Sequence, residues 1–168
     1  MRAKIELIRV DNRLVHGQVG VTWVNALNID TIVVVDEETS TNIFSQKMMT
    51  SIAKASNVGI RFYTVEHFMQ VLNHNESNQR IFVVVRDIHT VYALYEQGLM
   101  PQKVNVGNLH YERGKAPYNK KMYITERDAE EINILLAQHF DIYYQDVPNT
   151  SCETIQKIDF DCLKKVRK

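Results

Sequence analysis

Cysteine is scarce in this chain. Its two copies, Cys152 and Cys162, form no Cys-x-x-Cys pair and have no histidines at zinc-site spacing, so no disulfide framework or structural metal is expected, only free thiols in a reducing setting. Long hydrophobic runs are also missing. The most apolar stretches, 32–35 and 81–85, are far shorter than the roughly 18–20 residues that cross a bilayer, and the N-terminus shows no charged-then-apolar leader. A soluble, cytoplasmic chain is the expectation. Neither sign of charge dominates: 20 Lys and Arg balance 20 Asp and Glu, which argues against a broad nucleic-acid surface. The basic tail at 164–168 reads as a solvated helix end. With six glycines, three prolines and no repeat or low-complexity linker in 168 residues, one domain over 1–168 is expected.

What is present is an alternation of short β-rich runs with longer helical stretches. Strands are predicted at 4–10, 31–36, 60–65, 80–85, 103–106 and 142–145, and helices at 18–27, 42–55, 65–73, 87–97 and 126–138. Thr125 ahead of Glu126 and Asp128 looks like an N-cap with an acidic first turn. Runs such as Ile32-Val33-Val34-Val35 are continuously apolar, as strands covered on both faces are. The expected fold class is therefore α/β: a single-domain, mainly parallel open sheet of about six or seven strands with helices on both faces. Residues 120–124 offer one further strand, antiparallel at an edge, and a short helix is expected near the C-terminus.

The most informative stretch is Ile8-Arg9-Val10-Asp11-Asn12-Arg13-Leu14-Val15-His16-Gly17-Gln18, where the first strand runs out ahead of a helix. Unpaired N–H groups of a helix's first turn favour an anion, and the positive end of the helix disfavours an imidazolium. His16 is thus a candidate nucleophile toward phosphorus. Arg9 and Arg13 offer planar, multidentate donors for a phosphoryl group, with Gly17 letting the backbone come close and Gln18 at the helix start. Asp11 has two readings. It can hold one ring N–H of His16 and leave the other nitrogen free, or it can orient an arginine.

In an open parallel sheet, ligands gather at the carboxyl ends of strands. Asp11 to His16, Asp36 to Thr39, Arg86-Asp87 and the segment from Gly107 to Lys115 would meet there. That last segment is not a Walker loop: six residues separate Gly107 from Gly114, and Ala116 replaces the metal-binding hydroxyl residue. It reads either as a rim of the site carrying His110, Arg113 and Lys115, with Asp36 nearby, or as an ordinary solvated loop. His67, His74, His89 and His139 show no ligand spacing. Met48-Met49 and Tyr143-Tyr144 read as packing.

The element Val10-Asp11-Asn12-Arg13-Leu14-Val15-His16-Gly17-Gln18-Val19 resembles the Asp-x-Arg-Leu-x-His-Gly-Gln-Val signature of the IIB subunits of the mannose/fructose/sorbose family of the bacterial phosphoenolpyruvate-dependent sugar phosphotransferase system. The likeness continues through Trp23, Val34-Val35-Asp36-Glu37, Asn105-Val106-Gly107-Asn108 and Val147-Pro148. It implies a phosphocarrier that takes a phosphoryl group on Nδ1 of His16 from a separate IIA protein and passes it to a sugar at membrane subunits IIC and IID. It further implies a transferase acting from phosphohistidine to sugar, cytoplasmic and attached to the membrane's inner face through those subunits. No cofactor or metal is implied, and a homo-oligomer is left open. Arg9 and Arg13 match positions lining the family's phosphate pocket. Asp146 departs from a glycine common before Val-Pro. Asn108-Leu109-His110-Tyr111 resembles N-acetylgalactosamine or galactosamine members.

Two rival readings differ in kind. A histidine phosphatase or mutase also uses phosphohistidine, but wants Arg-His-Gly contiguous, whereas Leu14 and Val15 intervene here. A non-catalytic module would merely bind a phosphorylated metabolite and form no covalent adduct.

Overall fold

The computed structural model describes residues 3–165, the Gln18 side chain excepted, so the last three positions of the basic tail lie outside the described residues. Strands β1 (Lys4–Asp11), β2 (Thr31–Val35), β3 (Gly59–Tyr63), β4 (Arg80–Val85), β5 (Lys103–Asn108), β8 (Asp141–Tyr144) and β9 (Glu153–Thr154) form one sheet in the order β3-β2-β4-β1-β5-β8-β9. All neighbours are parallel except β8 and β9. From β1 the chain crosses to β2 on one side, and from β4 it crosses to β5 on the other. The carboxyl end of β1 thus lies where the direction of crossing reverses, the place where open α/β sheets form a crevice.

Side chains of the strands alternate between two cores, as a period of two requires. Ile8, Val10, Val33, Val35, Val83 and Val85 share one core with residues of α4 (Val65–His74), α5 (Ile88–Glu96) and α6 (Glu126–Ala137). Leu7, Ile32, Val34, Phe82 and Val84 face the other, with a π-helical segment (Gln18–Trp23), α1 (Val24–Leu27) and α3 (Ile43–Ala55). By the same alternation Arg9 and Asp11 point to the second face, beneath the segment that follows His16.

Sequence periodicity places the six predicted strands and five predicted helices within one or two residues of their observed ends, and Thr125 forms a reciprocal capping box with Asp128. Three features depart from expectation. The strand at 120–124 shrinks to β7 (Tyr123–Ile124) and pairs with β6 (Ala116–Pro117) in a separate two-stranded ribbon, while the antiparallel edge of the main sheet is β9. The helix after His16 begins with π-type winding. A short helix α2 (Glu37–Thr41), capped by Asp36, precedes α3. Each depends on a tertiary contact or a single cap that hydrophobic periodicity does not encode. The C-terminal helix is α7 (Phe160–Lys165). Met49 packs at the edge of the second core, whereas Met48 is exposed, against the packing reading of the pair.

The π-helical segment lies close on α3 because Gly20 has no side chain: a Cβ there would stand 2.2 Å from Cγ2 of Ile52. Gly20→Ala adds about 1 kcal/mol of helix propensity but overpacks a stiff β-branched neighbour at about 1–3 kcal/mol. We expect a net stability loss of about 1 kcal/mol, read from urea unfolding.

Candidate functional site

The site is built at the end of β1. Arg9 and Asp11 lie two residues apart on one face, so both side chains enter the same space. Beyond Asp11 the chain turns sharply: Leu14 N–H donates to the Asp11 carbonyl at 2.9 Å, and Leu14 adopts a left-handed backbone with φ of 53°. Such a conformation costs a branched residue about 1–2 kcal/mol. Burying the leucine side chain contributes about 1.5–3 kcal/mol, and Leu14 and Val15 are both fully sunk in the second core. The turn is held by burial. It returns His16 toward Asp11, and Gly20 N–H then donates to the His16 carbonyl at 2.7 Å.

Asp11 is wholly buried and both its oxygens are used. Oδ1 accepts from the Arg13 backbone N–H at 3.1 Å and lies 3.4 Å from Arg13 Nε. Oδ2 accepts from Arg9 Nη2 at 3.0 Å and stands 3.2 Å from His16 Nε2. Burial pushes the Asp11 carboxyl up, but the His16 hydrogen bond, the Arg9 charge and the Arg13 backbone N–H outweigh it and hold it below its ordinary 3.8. An ionised Asp11 is acceptor-only, so the proton shared with His16 sits on Nε2, and in the neutral ring that tautomer leaves the lone pair on Nδ1. The two roles read for Asp11 coexist, because one carboxylate serves both an arginine and the histidine. His16 retains 21% side-chain exposure.

The two arginines separate. Arg13 is 44% exposed and engages Asp11 only through Nε and its backbone, leaving the end of its guanidinium without a partner among the described residues. Arg9 is wholly buried. Its Nη1 donates to Asn105 Oδ1 at 2.5 Å and to the Gln145 carbonyl at 3.2 Å, and its guanidinium lies over the Trp23 ring at 5.2 Å. Burial pushes Arg9 down, opposed by Asp11, yet a guanidinium stays charged. Contrary to the expectation of two phosphate-facing arginines, the geometry places Arg9 under the site, because residue 9 lies a full strand repeat inside the end of β1.

Gly17 has an ordinary helical backbone, and a Cβ there would meet nothing within 4 Å, so no neighbour within the chain demands glycine. Gln18 begins the helix, and its side chain lies outside the described residues. Asp36 is nearly buried and committed elsewhere: Oδ2 caps α2 by accepting from Thr39 N at 2.9 Å, and Arg86 grips the carboxylate through Nε at 2.9 Å and Nη2 at 2.7 Å. No described contact joins it to His16.

The segment after β5 is tied to the His16 loop by Asn12, a residue to which sequence reasoning gave no role. Asn12 N–H donates to the Asn108 carbonyl at 3.0 Å, its Nδ2 donates to the Arg86 carbonyl at 3.1 Å, and its Oδ1 accepts from His110 N–H at 2.5 Å. His110 and Arg113 are exposed on this segment, whereas Lys115 turns back to Glu112 at 3.1 Å. Gly107, read as a loop boundary, belongs to β5. Asn105 and the Gln145 carbonyl were also missed, since only strand register reveals them. Asp146, the departure from the family pattern, pairs with Lys121, and its carbonyl accepts from Trp23 Nε1 at 3.3 Å. Of the four remaining histidines, His67 edges onto Tyr63, His74 meets the Gln70 carbonyl, His89 meets Glu131, and His139 takes a left-handed backbone just after α6.

Residues 5–168 match the family described as the sorbose subfamily IIB component of the phosphotransferase system. The chain belongs to this family. Among its relatives, the N-acetylgalactosamine-specific phosphotransferase enzyme IIB component 1 of Escherichia coli is 38% identical over 151 residues, 90% of this chain and 96% of that protein. The crystal structure of that component superposes with a TM-score of 0.87, covering 91% of this chain and all of the other. The mannose-specific EIIAB component of Escherichia coli is 28% identical over 160 residues, 92% of this chain but 49% of that longer protein. This IIB component is thus a phosphocarrier of a sugar phosphotransferase system and a transferase, with a family fold that agrees with the parallel sheet above.

Asp11→Asn keeps the shape of the side chain but leaves the Arg9 guanidinium of this IIB component buried without a counter-charge. We expect a loss of about 3–5 kcal/mol in urea unfolding near neutral pH. Because the folded carboxyl titrates below 3.8, the contribution of Asp11 is complete above that pH and is lost as pH falls through the lower folded value. The variant should lack this acid-side decline.

Proposed function

We propose that His16 carries the phosphoryl group on Nδ1, receiving it from phosphohistidine on a separate IIA protein and passing it to a sugar at membrane subunits IIC and IID. The observation that carries this reading is the contact between His16 Nε2 and Asp11, which leaves Nδ1 as the ring nitrogen with a free lone pair. In the forward step that lone pair forms a bond to phosphorus as the bond to the donor nitrogen breaks, its electron pair returning to the donor ring. The Nε2 proton stays in place, donated to Asp11, whose negative charge offsets the imidazolium character of the phosphorylated ring. In the second step a sugar hydroxyl attacks phosphorus and loses its proton to water, and the P–N electron pair returns to Nδ1.

Charge in the transition state gathers on the equatorial oxygens of the phosphoryl group. The open end of Arg13 and the first-turn N–H groups after Gly17 are the donors available for them. The absence of any internal demand for glycine at position 17 accords with an approach by another protein. Sequence likeness to the N-acetylgalactosamine-specific relative supports an amino sugar of that type as the acceptor. Among the described residues no helix is long and apolar enough to cross a membrane, and we assign the chain to the cytoplasm, attached to the membrane through IIC and IID. Family membership does not favour a phosphatase or a purely binding module.

Phosphorylation with phosphoenolpyruvate, the general carrier proteins and IIA, followed by mapping of the modified residue, tests the reading. An acid-labile adduct on His16 is expected, absent in a folded His16→Ala variant, and an undiminished adduct in that variant would refute the assignment. Arg13→Lys should slow transfer by about tenfold or more with little change in stability, because a point charge cannot reproduce a planar fork. Equal rates in the two proteins would remove Arg13 from the phosphoryl site.

A further inference from the structure

We infer that Arg9 is a positioning residue which holds Asp11 as an acceptor aimed at Nε2 of His16, and that Gly107, Asn105 and Trp23 form the seat that fixes Arg9 in that role. Its catalytic consequence rests on His16 being the phosphoryl carrier; the positioning itself does not.

A guanidinium buried in the middle of a strand is not explained by stability, since apolar replacement of buried ion pairs is often neutral or stabilising. Its surroundings point to placement instead. Asn105 is the register partner of Arg9 on β5. Its Nδ2 donates to the Gln145 carbonyl at 3.1 Å, which turns Oδ1 toward Arg9 Nη1. The same Gln145 carbonyl accepts from Arg9, and the Trp23 ring closes one face of the guanidinium. With Nη1 and that face committed, Nη2 is left at a fixed position for Asp11 Oδ2.

Gly107 supplies the space. The register between β1 and β5 slips between Val10 and Asp11, so that Val10 faces Val106 and Asp11 faces Asn108, with Gly107 as the extra residue of the bulge. A Cβ on Gly107 would stand 2.0 Å from Arg9 Nη2 and 2.1 Å from its Cζ. Any side chain at position 107 must evict the guanidinium.

The chemical effect follows from what Asp11 becomes without that neighbour. A buried carboxyl deprived of its cation favours the protonated form, and a protonated Asp11 donates to His16 Nε2 where the ionised one accepts. The ring proton then moves to Nδ1, and the lone pair that must attack phosphorus is lost. Arg9 reaches the reaction only through Asp11, and its loss should lower the rate of transfer without altering donor affinity.

The decisive measurement is the tautomer of His16, read from the ¹⁵N shifts of its ring in the unphosphorylated full chain. It needs no phosphoryl donor and so stands apart from the carrier reading. Three variants are compared with the parent protein: Gly107→Ala, which keeps every charge but displaces the guanidinium; Arg9→Met, which removes the charge; and Arg9→Lys, which restores a point charge. Circular dichroism confirms folding, and emission from Trp23, the single tryptophan, reports whether the guanidinium has left its seat. The parent should carry its proton on Nε2. Gly107→Ala and Arg9→Met should shift it toward Nδ1 and lower the phosphorylation rate at saturating IIA by at least about tenfold, with less than about a twofold change in half-saturation and partial recovery in Arg9→Lys. Folded variants that keep the Nε2 proton and the parent rate would overturn the proposal. A loss confined to half-saturation would also overturn it, by making Arg9 a donor-binding group. If the tautomer shifts as stated but no adduct forms on His16 of the parent, the carrier reading fails and the positioning role stands.

Discussion

One carboxylate organises this site. Asp11 is buried with two oxygens and four claims on them: the Arg9 guanidinium, the Arg13 backbone, the Arg13 Nε and the His16 ring. A buried charge of this kind is tolerated only when its lone pairs are filled in good geometry. That requirement is what makes it useful, because each partner must arrive at a defined angle for the fold to accept the charge. The order in the loop is a consequence of the order around Asp11.

The fold meets the requirement through the position of β1. A central strand flanked by β4 and β5 has little freedom to shift, and its period of two puts residues 9 and 11 into one compartment. Leu14 and Val15 then bring the following loop down into the core, so the His16 ring is placed by the burial of the two residues before it. A parallel solution stands two strands away, where Asp36 caps α2 and grips Arg86. There the charges are all satisfied internally. At Asp11 one partner is a partly exposed imidazole and another a half-exposed arginine, and that difference separates a structural cap from a candidate site.

Much of this was legible in the sequence because hydrophobic alternation and helix caps are local. Continuous runs at 32–35 and 81–85 identify buried parallel strands, and the Arg, Asp and His of one short segment mark the cluster that the structure draws together around Asp11. The division of labour between Arg9 and Arg13 was not legible. Both lie within two residues of Asp11, and only the strand end, which exposes one and buries the other, tells them apart. Asn105 and the Gln145 carbonyl are about a hundred residues or more from Arg9 in sequence, so no motif can reveal them. Gly107 carried a signal that was misread: a glycine beside a strand marks a close approach of another group as readily as a loop.

A carrier differs from an ordinary catalyst in that its bound intermediate must be as easy to discharge as to form. Strong enclosure of the phosphoryl group would stabilise the phosphorylated state and slow delivery. With the phosphoryl group on His16 as proposed, Arg9 neutralises Asp11 beneath the ring, and Arg13 is the arginine whose end has no partner among the described residues. If His16 is the carrier as proposed, the nucleophile is tuned from the buried side, by fixing which nitrogen holds the proton, while the exposed side is left to its partners. On the proposed reading, donor and acceptor complete the transition state with groups of their own, so that a single imidazole serves two different partners in succession without favouring either.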